Sequence, residues 1–181
     1  MEIQAVKINF NLDKIGTIIK TQKETQLDMQ TARLIFIPFW IGGVKIEIEK
    51  KLFVPAKRSF MLLAMEAVEG KVGLSEGFPR EILKLKANNR YVVLPKINEE
   101  MARERLRKFT ADYVIRRYSL LPNISVGEIG LIHKPYWYIE GSGRFGKKFL
   151  LIDAEIGYID YNLRDSLFDE LVNCDFYNLL H

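Results

Sequence analysis

The sequence is poor in the residues that most often carry chemistry. Its 181 residues include one cysteine and two histidines. Cys174 alone excludes an intrachain disulfide and a thiolate metal cluster. His133 and His181 are too few and too far apart to suggest a metal site, and no cofactor is implied. Long apolar runs are also lacking. The longest, Leu34 to Trp40, is cut by Pro38 and falls far short of the roughly 20 residues of a membrane helix, so no membrane span is expected. Glu2 stands where an export signal carries bases and no apolar core follows, which predicts a cytoplasmic protein. Charge of one sign is scarce too. With 23 acids among 27 bases the net charge is +4, so a nucleic-acid partner is tolerated but not demanded.

What is present is an ordinary globular composition, 48% apolar and 28% charged. Glu2–Phe10 alternates as a strand, and a helix follows from Asn11 over the first half of 11–30; the remainder fits a strand equally. Ala32–Trp40 reads as an edge or bulged strand because of Pro38. Gly42-Gly43 suggests a tight turn into Val44–Ile48, whose apolar and charged residues alternate. Ser59–Val68 is a further strand. Glu69–Pro79 is a loop or lobe boundary, and Pro79–Lys86 a short helix. Tyr91–Leu94 is a short strand. Asn98 caps a helix to Tyr118 with an apolar stripe at Ala102, Leu106, Phe109 and Tyr113. Strands over Ile129–Glu140 and Lys148–Tyr161 and a C-terminal helix from Leu163 complete the chain. The class is α+β: a curved antiparallel sheet packed on helices, divided into lobes 1–94 and 95–181 that could also form one compact domain.

The halves share an order of features. Pro38-Phe39-Trp40 parallels Pro135-Tyr136-Trp137, and Phe60-Met61-Leu62-Leu63-Ala64-Met65-Glu66 parallels Phe149 to Glu155. Internal duplication accounts for this; shared strand-rich composition is the alternative. The helix, the PYWYIEG strand and KKFLLIDAEIGYI together resemble the PepSY and cystatin-like pattern over about Arg103 to Tyr161. Asp153, Ala154 and Gly157 occupy that pattern's closing turn, with one extra residue between Ala154 and Gly157. The resemblance implies two lobes of helix plus β-meander and a non-catalytic binding role. Members of the family are typically exported, which this N-terminus does not suggest.

Two chemical motifs invite a reading. Gly141-Ser142-Gly143-Arg144-Phe145-Gly146-Lys147-Lys148 approaches a phosphate-binding loop, but Lys148 stands where a magnesium-binding hydroxyl belongs and a strand follows where a helix is required. A glycine-rich hairpin explains it. The bases Arg103, Arg105, Arg107, Lys108, Arg116 and Arg117 spread around their helix and are interleaved with acids, as on a solvated face. Asp153 and Glu155 share one face of a strand, open to paired acid–base work but more simply a solvated face.

These features predict a non-catalytic binding or protein-interaction module acting through an aromatic sheet face. Tyr136, Tyr138 and His133, with the loop bases Arg144, Lys147 and Lys148, are its candidate residues. The partner would be an unidentified protein or small molecule, and a homodimer is compatible. A small-molecule pocket or enzyme using His133, Asp153 or Glu155 in the concave sheet face is the alternative. Weak nucleic-acid binding through the basic helix is the second.

Overall fold

A computed structural model describes residues 1–21, 28–49, 56–119, 121–143, 146–168 and 171. Cys174 and His181 lie outside them. In chain order the elements are β1 (Glu2–Val6), α1 (Leu12–Thr21), β2 (Asp28–Ile48), β3 (Lys57–Glu66), β4 (Val72–Leu74) and β5 (Ile82–Lys86). A 3-10 turn (Asn89–Tyr91), α2 (Glu99–Tyr118), β6 (Asn123–Gly143), β7 (Gly146–Asp153) and α3 (Tyr161–Ser166) follow. The class is α+β, with a seven-stranded sheet in the order β4-β3-β2-β6-β1-β5 and β7 paired to β6. The sheet is mixed, because β1 meets β6 in parallel, Ala5 opposite His133.

The chain divides into two compact units that interleave along the sequence. One comprises 1–37, 80–94 and 133–181; the other comprises 38–79 and 95–132. Each therefore draws on both sides of residues 94 and 95. In the first unit, Ile15 of α1 packs on Ile139, Leu150, Ile152 and Ile159. In the second, Ala102 and Leu106 of α2 pack on Val44, Leu63 and Met65. Asn98 caps α2 as expected, its side chain accepting from the Met101 N–H at 2.9 Å. The salt bridge at its start joins Arg103 to Glu99 at 2.8 Å, rather than to Glu100.

Several local expectations are overturned. Gly42-Gly43 makes no turn; β2 runs straight through it. A Cβ on Gly42 would lie 2.5 Å from Ile129 Cγ2, and one on Gly43 would lie 2.3 Å from the Phe60 ring, so these glycines permit close approach within a strand. Pro38 is not on an edge strand, since β2 lies between β3 and β6. It precedes the first β2–β3 pair, Phe39 with Glu66, where a missing N–H breaks no rung, while its carbonyl accepts from the Ala67 N–H at 2.9 Å. The stretch placed in a helix at 79–86 contains β5, whose alternating ILKLK pairs with β1. Strand β7 ends at Asp153 and a turn follows, so Asp153 and Glu155 do not share a strand face.

One pattern of hydrogen bonds occurs in both units. In the second unit, Ala67 donates to the Pro38 carbonyl, and its own carbonyl accepts from Lys96 and Ile97 at 2.9 and 3.0 Å. The Trp40 indole donates to Ile97 O at 2.8 Å, and α2 follows. In the first unit, Ala154 donates to the Pro135 carbonyl at 3.0 Å and accepts from Asn9 and Phe10 at 2.9 Å each. The Trp137 indole donates to Phe10 O at 2.8 Å, beside the start of α1. The parallel pairings that precede each proline match as well, Phe36 with Val92 and His133 with Ala5, both within the first unit. Each hairpin is thereby tied to the approach to a helix from the other half of the sequence.

Candidate functional site

The residues expected on an open aromatic face lie in the interior. Tyr136 is 2% exposed, Tyr138 1% and His133 5%. Tyr138 stacks on Phe149, and Trp137, on the opposite side of the strand, packs against the Ile15 cluster. Alternation does send the tyrosines and Trp137 to opposite faces, but both faces are covered at these positions. Arg144 lies outside the described residues, and of Lys147 and Lys148 the backbone alone is described, within the β6–β7 hairpin.

The acids that could serve catalysis close turns instead. Glu66 ends β3 and its carboxylate accepts from the N–H groups of Val68, Glu69 and Gly70. Asp153 ends β7, and its Oδ1 accepts from Glu155 and Ile156 at 2.8 and 3.2 Å. Each turn is closed by a glycine with positive φ, Gly70 at 82° and Gly157 at 75°, donating back to the carbonyl of the acid. Burial pushes the Glu66 carboxyl up, partly offset by those N–H donors.

Around Asp153 the first unit adds charges that the second lacks. Lys134 Nζ lies 2.5 Å from Asp153 Oδ2 and 3.9 Å from Glu155. The Lys134 ammonium sits 5.9 Å from the centre of the Tyr136 ring. Burial first, then the charges of Asp153, Asp160 and Glu155, hold the Tyr136 hydroxyl well above its ordinary range, so it stays protonated. A buried phenol and a paired lysine give no group poised for proton transfer at neutral pH. Among the described residues no group of His, Cys, Asp and Glu side chains could hold a metal ion.

His133 is buried and unsatisfied, as is the Ser166 hydroxyl: neither ring nitrogen of His133 has a hydrogen-bond partner. Burial lowers its pKa below 6.5, and the adjacent Gln4 backbone counters this only in part, without a well-formed hydrogen bond. The unfolded chain therefore takes up the proton first, so stability is full above the ordinary value and falls as pH drops below it. The expected loss reaches at most about 1.4 kcal/mol per pH unit. His133→Phe, which copies Phe36 at the matching position, should flatten the dependence of Tm on pH below the ordinary histidine value. An unchanged slope would assign it to other groups.

Two concave features among the described residues lie in the second unit, where the C-terminal half of α2 passes the end of the β2–β3 hairpin. One cavity of about 380 Å³ is lined by Phe109, Asp112, Tyr113, Arg116 and Arg117. A second of about 190 Å³ has an apolar floor of Ile46, Ile48, Met61 and Val114, with Tyr113, Tyr118, Lys57 and Phe60 toward its mouth. Tyr113 belongs to both. Arg117 donates to the Tyr113 hydroxyl at 3.1 Å, and Lys57 and Arg117 lie 5.1 and 5.9 Å from the centre of the Tyr118 ring. Phe60 remains 60% exposed, and Tyr118 is also open to solvent. The sequence marked the α2 bases and tyrosines but not their meeting with Ile46, Ile48 and Lys57. A usable signal was the extra length of this half: Asn98 to Pro135 is ten residues longer than Asn11 to Pro38, and Pro38 to Glu66 ten longer than Pro135 to Asp153.

No family model matches the chain, and neither the curated proteins nor the solved structures contain a match. Among the described residues no helix is long and apolar enough to cross a membrane.

Proposed function

We propose that the protein is a non-catalytic binding module built by duplication of a helix-and-hairpin unit of PepSY or cystatin-like kind, and that it binds through the cleft beside the C-terminal half of α2. The duplication is supported by the recurring hydrogen bonds and by their spacing: Asn11 and Asn98, Ala67 and Ala154, and Gly70 and Gly157 are each 87 positions apart. Ten extra residues before Pro135 and ten extra in the first hairpin offset one another, so the register returns. What the copies share closes turns and seats helices. What they do not share is where a binding function has room to sit.

The observation that carries the reading is that the cleft is completed by segments that run beyond the shared register, added to Ile46, Ser59 and Met61 within it. Phe109 to Tyr118 has no counterpart in the described part of α1, and Ile48 and Lys57 extend the hairpin beyond the pair equivalent to Gly143 and Gly146. A concave apolar site rimmed by a few polar groups is the usual form of a ligand site. The acids Glu66 and Asp153 are held by backbone donors in their own turns and line neither cavity, which favours binding over turnover.

The test uses a neutral apolar fluorophore, N-phenyl-1-naphthylamine, with the full chain. Its emission should rise on binding and report one saturable site. Ser59→Trp, which adds bulk at an exposed position lining the smaller cavity, should abolish that site without lowering Tm. Unchanged binding in the variant would refute the cleft.

A further inference from the structure

Resting on that reading, we infer that the cleft takes an amphiphilic carboxylate, a medium-chain fatty-acid anion, with its chain on the apolar floor and its carboxylate between Lys57 and Arg117. The floor is dry in character: Ile46, Ile48 and Val114 are 3%, 6% and 1% exposed and offer no polar atom from their side chains. An apolar cavity of roughly 150 Å³ suffices for benzene, so about 190 Å³ holds a short acyl chain or one ring, and a larger ligand such as the fluorophore would seat one ring and leave the rest at the mouth. The polar groups of the lining are Lys57, Ser59 and the hydroxyls of Tyr113 and Tyr118.

The sign of the head group follows from the cations. Lys57 and Arg117 lie 5.1 and 5.9 Å from the centre of the same Tyr118 ring, so two cations share one residue of the cavity wall. Neither has a carboxylate partner among the described residues, whereas nearby Arg58 is paired with Glu47 at 3.1 Å. Among the described residues Asp112 is the one acid lining either cavity, and Arg116 and Arg117 line the same cavity with the opposite charge. A carboxylate bound beside the Tyr118 ring would pair with these cations and accept from the Arg117 guanidinium. A phosphate ester would want the backbone N–H groups of a helix N-terminus or glycine loop. The backbone here is the C-terminal part of a helix and paired strand, so a singly charged head with a hydrocarbon tail fits better.

The experiment is calorimetric titration of the full chain at low ionic strength with octanoate, octanol and octylammonium. Octanoate should bind about tenfold more tightly than octanol, the effect of two exposed cations acting together, and octylammonium should not bind. Lys57→Gln with Arg117→Gln should bring octanoate down to the level of octanol and leave octanol unchanged. Octanol binding as tightly as octanoate, or octylammonium binding best, would overturn the inference while the cleft stands. Failure of octanoate alongside saturable binding of the neutral fluorophore would do the same. Failure of both ligands would remove the cleft reading as well. Vesicles of phosphatidylglycerol separate the sources: competition by free octanoate for the site in the presence of vesicles supports a free acid, and capture by vesicles that octanoate cannot reverse overturns it in favour of a membrane surface.

Discussion

Replacing Asp153 by alanine should lower the unfolding free energy by about 3–5 kcal/mol, the range for leaving one member of a buried ion pair without its partner. The carboxylate is buried and has two tasks. Its Oδ1 satisfies the N–H groups of Glu155 and Ile156, and its Oδ2 meets Lys134 at 2.5 Å. Removing it leaves two turn donors short of an acceptor, each costing about 1–3 kcal/mol where water cannot replace it. Lys134 is 26% exposed, so part of its charge is recovered by solvent and the total stays near the lower end of a simple sum. Urea denaturation would read the change. Asp153→Asn keeps an acceptor oxygen for the turn and should recover about 1–3 kcal/mol of the loss. A loss below about 1 kcal/mol for the alanine variant would show that the turn does not depend on its acid.

Gly157→Ala should cost about 2–5 kcal/mol, from two sources that add. A φ of 75° costs an L-residue about 1–2 kcal/mol. The new methyl would also stand 2.6 Å from Phe10 Cε1, and overpacking of this kind costs about 1–3 kcal/mol. Phe10 cannot retreat freely, because its N–H donates to Ala154 and its carbonyl accepts from Trp137. Gly70→Ala has a similar φ of 82°, but its methyl would meet the ends of flexible side chains, the Arg105 guanidinium and Ile97 Cδ1. It should therefore cost less, about 1–2 kcal/mol. Thermal unfolding of the two variants side by side gives the ranking, and a larger loss at Gly70 would contradict it.

Legibility in the sequence followed the range of the interactions involved. The α2 helix was readable because Asn98, the acids after it and the spacing of Ala102 and Leu106 all act within a few residues. Parallel features in the two halves were visible as well, at Pro38-Phe39-Trp40 and Pro135-Tyr136-Trp137. What could not be read was interleaving. Gly42-Gly43 has the composition of a turn, and only its approach to Ile129 and Phe60 explains glycine in the middle of a strand. Residues 79–86 carry a helix-opening proline, yet pairing of Ile82–Lys86 with β1 decides their form. The aromatic strand around Tyr136 was readable as a strand, but not as one buried on both faces, since that depends on the elements packed over it. The cleft gave the weakest signal. Its walls come from β2, β3 and α2, and only the ten-residue differences between the halves pointed toward it.

The central claim is that the segments peculiar to the second unit carry binding while the shared turns carry structure. Amide NMR mapping on the labelled full chain, titrated with N-phenyl-1-naphthylamine, tests it most directly. The account predicts shifts concentrated at Ile46, Ile48, Met61, Tyr113 and Val114, with Ile139, Leu150 and Ile152 unmoved. Shifts centred on Tyr136 to Tyr138, or spread equally over both units, would contradict it.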